Sequence, residues 1–186
     1  MDAFSYLAVL ISIILGLGIA RLLTGVGRWI EQRKAFRPFM PAMAWAGILL
    51  LVHVQTWWSM FGLRFLTEWT FVRFTVVLLQ PSILFLLATI VLPSEGGANL
   101  DLRANYTSQR RWFFGLLGLL LIVSVLKDLV VTGSLPSTLN LAFHMGFLVL
   151  AVGAFLFERE RAQQAISAVA AISMLAYVGL LFRDLQ

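Results

Sequence analysis

Apolar residues in this chain gather into six long runs separated by short polar breaks. The runs extend from Ala3 to Val26, Met40 to Gly62, Thr70 to Leu92, Trp112 to Val131, Leu139 to Phe157 and Ala165 to Phe182, and charges, Pro or Gly bound them. Each is close to the ~20 mainly apolar residues that a helix needs to cross a hydrocarbon core about 30 Å thick. The pattern therefore predicts an all-α fold: a polytopic integral membrane protein, a compact bundle of about six transmembrane helices forming a single domain over residues 1–186. The first run is too long for a cleavable signal, and Met1-Asp2 ahead of it supplies no basic region, so it is expected to stay as a helix.

Composition strengthens this reading. Of 186 residues, 60% are hydrophobic and 12% charged, and the mean hydropathy of +0.91 exceeds what a soluble domain of this size carries on its surface. The absence of cysteine excludes disulfides, thiolate nucleophiles and iron–sulfur or zinc sites built on thiolates.

The net charge of +5 would suggest a polyanionic partner in a soluble protein. Here the basic residues sort by loop. Arg28, Arg33, Lys34 and Arg37 fall in the first loop, Arg103, Arg110 and Arg111 in the third, and Arg159 and Arg161 in the fifth; the second loop has only Arg64 and the fourth has no charge. The positive-inside rule then places the odd-numbered loops in the cytoplasm and both termini on the other side (N-out/C-out) of the inner (plasma) membrane, with lipid rather than nucleic acid as the surrounding partner. Trp29, Trp57, Trp58, Trp69 and Trp112 fall near run ends, as interfacial anchors do. Splitting the six runs after Leu92 gives the arithmetic of a 3+3 inverted repeat, with Pro41 and Pro136 each preceding the middle helix of its half, although no aligned motif follows them.

Small residues mark packing faces. Ala8, Ser12, Gly16, Ala20 and Thr24 recur every four residues along the first helix. Ser12, Gly16 and Ala20 are accordingly expected to let another helix approach closely, either within the bundle or between subunits of a homo-oligomer. The last helix repeats the theme from Ala165 to Gly179.

Function in a membrane protein concentrates at polar side chains held within the hydrocarbon. Arg21 and Arg73 lie near helix ends and can snorkel to water. Lys127 and Asp128 are neighbours, so they point ~100° apart on a helix and are expected to pair with other helices rather than with each other. Counting ~1.5 Å per residue, His53 lies roughly 20 Å from the inner boundary and His144 roughly 12 Å from the outer one, at nearly one depth. Gln55, Thr56, Lys127, Asp128, Asn140 and Tyr177 fall in the same outer half, and Ser137, Asn140 and His144 share a helix face. A polar cluster in that half follows.

Three uses compete for the cluster. In the first, His53, Gln55, Arg73, Gln80, Lys127, Asp128, Asn140 and His144 line a pathway for a small solute or ion, with Gln80-Pro81 breaking the third helix near the midplane; the protein is then a transporter or channel, and the cationic surplus leans toward an anion or a proton-coupled solute. In the second, His53 and His144 ligate a b-type haem. In the third, the histidines only tie helices together in a structural or assembly subunit. No catalytic constellation and no metal motif accompanies them: there is no phosphate-binding glycine loop, no HExxH, and no Ser beside a base on its own helix turn. The stretch from Pro93 to Arg111, with Gly96, Gly97, Asn99, Asn105 and Ser108, reads as a mobile loop, and Glu158-Arg159-Glu160-Arg161 as a solvated turn whose charges pair along the surface.

Overall fold

A computed structural model describes residues 3–31, 39–66, 68–92 and 101–181. The helices are α1 (Ala3–Glu31), α2 (Met40–Ser59), α3 (Phe71–Val91), α4 (Leu102–Thr132), α5 (Thr138–Leu156) and α6 (Glu160–Leu181), with a 3-10 stretch, Met60–Phe65, continuing α2. Among the described residues, six helices are long and apolar enough to cross a membrane. Arg33, Lys34, Arg37, Gly96, Gly97 and Asn99 lie outside the described residues.

Local chemistry sets the ends. Pro41 stands in the first turn of α2, where its missing N–H costs nothing. Thr70 caps α3 by accepting from the Arg73 N–H, and Ser137 caps α5 by accepting from the Asn140 N–H. Gly133, at φ 72°, closes α4 in the left-handed conformation and returns its N–H to the Leu129 carbonyl. The largest departure from expectation is the start of α4. Asp101 accepts from the N–H groups of Arg103 and Ala104 and begins the helix ten residues before the apolar run at Trp112. Asn105 and Ser108 are thus helical, not part of a mobile loop, and the Asn105 amide donates to the Ile90 carbonyl at the end of α3.

The packing is a closed ring. Helices α2, α6, α5, α4 and α3 touch in that order, α3 returns to α2, and α1 lies outside the ring against α3 and α2. The two halves of the chain pack differently: α1 packs closely along α3, whereas α4 and α6 meet only through long side chains near their starts, Tyr106 with Gln163 and Arg103 with Glu160. The predicted 3+3 repeat is not expressed in the fold.

Helix α1 docks through Leu7, Ile11, Leu15, Gly18, Leu22 and Gly25, a face at spacings of three and four. A Cβ at Gly18 would overlap His53 Nε2, and one at Gly25 would come within 2.7 Å of Leu92 Cβ. The predicted stripe is on the other side: Ser12, Gly16 and Ala20 are exposed, and a Cβ at Gly16 meets nothing within 4 Å. Within this chain the packing face is made of leucines that fill volume and two glycines that each admit one side chain. Among the described residues nothing packs on the small stripe.

The end of the ring that holds the starts of α4 and α6 is filled. Trp45, Phe113 and Phe114 meet edge to face at centroid separations of 5.1–5.7 Å, and Tyr106 and Phe39 extend the cluster. Beside it a polar knot closes the end of α5. The Arg110 guanidinium, 4% exposed, donates to the Ala154 and Phe155 carbonyls at 2.6 Å and to Glu158 at 2.5 Å. The Gln163 amide donates to the Ala154 and Phe157 carbonyls and accepts from the Tyr106 hydroxyl. These donors satisfy carbonyls that a helix end otherwise leaves without partners. Glu158 also faces Arg111, and Glu160 faces Arg103. The acids of the 158–161 run therefore reach across to α4.

Candidate functional site: a polar-lined cavity

The other half of the ring is hollow. A cavity of about 550 Å³ lies between α2, α3, α4, α5, α6 and the 3-10 stretch, with Trp45 at its inner end and the exposed Gly62, Phe65 and Thr132 on its rim. Its walls are helix faces. Trp45, Ile48, Val52, Gln55 and Ser59 line it from α2, at spacings of three and four; Leu117, Leu120, Leu121, Ser124, Lys127, Asp128 and Val131 do so from α4. Helix α5 supplies Asn140, Phe143, His144 and Phe147, and α6 supplies Met174 and Tyr177. From α3 comes Gln80.

Of the predicted pathway residues, Gln55, Gln80, Lys127, Asp128, Asn140 and His144 line this cavity, and His53 and Arg73 do not. Arg73 bends back at the start of α3, where its guanidinium donates to the Glu68 carbonyl at 2.8 Å. The His53 ring is fully buried between α2 and α1: its Nδ1 donates to the Leu49 carbonyl at 2.7 Å, and Nε2 is pressed toward Gly18. His144 takes a different partner set. Its Nδ1 lies 2.9 Å from the Asn140 carbonyl, which can only accept, so in the neutral ring Nε2 accepts from the Ser124 hydroxyl at 3.1 Å. The two rings thus address different interfaces, one facing α1 and the other α4. Two imidazoles on one iron, as the expected ligation of a b-type haem by His53 and His144 requires, do not fit this arrangement.

The lining is a connected polar network within mostly apolar walls. The Tyr177 hydroxyl donates to Asn140 Oδ1 at 3.0 Å, and the Tyr177 ring meets Phe143 and His144 edge to face. Together with the Ser124–His144 bond this ties α6 to α5 and α5 to α4. A hydroxyl and an imidazole at this distance can act as nucleophile and base, but here the bond is one link in that tie. Lys127 and Asp128 pair with each other at 3.5 Å, against expectation, because the long lysine stem spans the angle between adjacent helix positions. With Arg21 and Arg73 elsewhere, the cavity's own charges balance, and the expected lean toward an anion loses its basis. The Gln80 amide, 5% exposed, donates to Thr56 Oγ1 at 3.4 Å, while its Oε1 has no partner among the described residues.

Sequence reasoning passed over Ser59, Ser124 and Thr132, which also line the cavity. A signal for Ser124 was present: it precedes Lys127 and Asp128 by three and four residues, on one helix face. Among the described residues no group of three or more His, Cys, Asp or Glu is placed to hold a metal ion. Comparison with protein-family models, with curated proteins and with solved structures finds no match for this chain.

Proposed function

We propose that this is a multi-pass protein of the inner (plasma) membrane that moves a small solute through the cavity, as a carrier whose solute site opens toward the exported side. The observation that carries the reading is the cavity itself: about 550 Å³, with polar side chains from α2 to α6, inside a bundle whose outer surface bears exposed Val149, Ile172 and Leu175. A water-facing exterior of that kind would aggregate, whereas lipid covers it at no cost. Helix α3 runs unbroken from Phe71 to Val91, so the break expected at Gln80-Pro81 is absent; what Pro81 contributes is the loss of one backbone donor beside the α3 wall.

The aromatic cluster around Trp45 favours a carrier over an open channel, because it fills the half of the ring opposite the cavity. For the orientation, the support is that Arg103, Arg110, Arg111, Arg159 and Arg161 all belong to the filled end, which the positive-inside rule assigns to the cytoplasm. The reading is tested by reconstituting the protein into liposomes and following the entry of a panel of small neutral solutes, among them polyols, amino acids and aromatic alcohols. Entry faster than in protein-free liposomes, and slowed when Leu121→Trp narrows the cavity, is the expected result. Rates equal to those of empty liposomes across the panel would overturn it.

A further inference from the structure

We infer that the cavity recognises a neutral molecule with an apolar, ring-sized body and one O–H or N–H group, and that Gln80 Oε1 is the acceptor for that group. The inference rests on the reading of the cavity as a solute site and names the chemistry that the site selects.

The starting point is an acceptor without a donor. Gln80 is 95% buried, lines the cavity from α3, and spends its amide N–H on Thr56, a residue with no exposure at all. Its Oε1 is buried and has no partner among the described residues. Buried side-chain oxygens are paired in the great majority of cases, and one left unpaired costs as much as a hydrogen bond contributes. The next residue, Pro81, has no N–H to offer the Val77 carbonyl one turn back, so the same stretch of α3 is short of donors in its backbone as well. A ligand that brings a donor to this wall relieves the shortage; a ligand that brings an acceptor worsens it.

The rest of the lining sets the body and the charge. Phe143, Phe147, Leu117 and Leu120 offer apolar contact of the width of a ring. Lys127 and Asp128 neutralise each other at 3.5 Å. An inorganic ion entering such walls would lose its hydration without a compensating charge, whereas a neutral amphiphile loses little. The polar groups near the rim, Gln55 and Asn140 among them, are open to either kind of molecule, so discrimination falls to the α3 wall.

The test uses the full-length protein in lipid nanodiscs and two probes of one shape, 2-naphthol and 2-methoxynaphthalene. Only the first carries a donor. Binding is measured by equilibrium dialysis, with partition into protein-free nanodiscs subtracted. The expected result is saturable binding with roughly tenfold preference for the naphthol. Gln80→Met, close in shape but without the acceptor, is expected to remove the preference, and Leu121→Trp to remove saturable binding of both probes while leaving Gln80 in place. Equal affinities in the unaltered protein, a preference that survives Gln80→Met, binding that survives Leu121→Trp, or no saturable binding of either probe would each overturn the inference. Because binding is read without flux, a preference for the naphthol with no solute entry in liposomes leaves this inference standing and removes the transport reading. Solute entry without the preference does the reverse.

Discussion

At the scale of single residues, depth in the bundle and direction around a helix are separate properties, and sequence reports the first far better than the second. His53 and Gln55 are two positions apart and were placed at nearly the same depth. Two residues turn a helix by ~200°, so when Gln55 faces the cavity His53 faces α1. The same rotation separates Gly16 from Gly18. Gly18 is the point where the His53 ring fits against α1, so Gly18→Ala forces that ring or the helix aside, at about 1–3 kcal/mol for an overpacked site. Gly16→Ala meets open space. In detergent, thermal unfolding of Gly18→Ala is expected several degrees below that of the unaltered protein, with Gly16→Ala unchanged or slightly raised. Equal effects of the two substitutions would contradict the face assigned to α1.

At the scale of elements, helix existence was legible and helix length was not. The six apolar runs each became a helix, because about 20 apolar residues leave the backbone few alternatives in lipid. The extension of α4 back to Leu102 was hidden by its polar composition. Its signals are local and amphipathic: Asp101 at the cap, then Leu102, Tyr106, Arg110, Phe113 and Phe114 facing inward at spacings near four. At 31 residues α4 is ~46 Å long, longer than a hydrocarbon core of ~30 Å. In the proposed membrane placement the exposed Trp112 marks where the helix enters the hydrocarbon, and the ten residues before it extend beyond it, with Leu102, Tyr106 and Arg110 still packed inward. Amide hydrogen exchange checks this. Residues 106–110 are expected to exchange slowly, as a packed helix does, and Asp101→Ala is expected to speed them by loss of a cap worth ~1 kcal/mol. Fast exchange in the unaltered protein would restore a loop.

At the scale of the whole molecule, the antiparallel course of the helices gathers most of the described basic residues at one end and the cavity mouth, with Arg64, Arg73 and Lys127, at the other. Since the chain has no cysteine, single cysteines report orientation cleanly. Gly62→Cys and Ser134→Cys stand on exposed positions at the cavity end; Ser108→Cys and Gln164→Cys stand on exposed positions at the filled end. A membrane-impermeant maleimide added to intact cells is expected to label the first two, and the second two only after permeabilisation. The opposite pattern would turn the molecule over and place the cavity mouth in the cytoplasm.

The sequence by itself determined the number of helices, their apolar character and the gathering of polar residues toward one end, because chain length, hydropathy and helix period act locally and need no knowledge of neighbours. It could not say which face of each helix turns inward. That was decided when six helices chose partners. Packing α1 on the outside consumed His53; closing the ring of five others directed Gln55, Ser124, Asn140 and Gln80 into one space; and pairing Arg110 with the end of α5 closed the opposite end. The physical reason is that rotation about a helix axis changes no local term. Only burial against another helix, and the need to give each buried polar atom a partner, sets it.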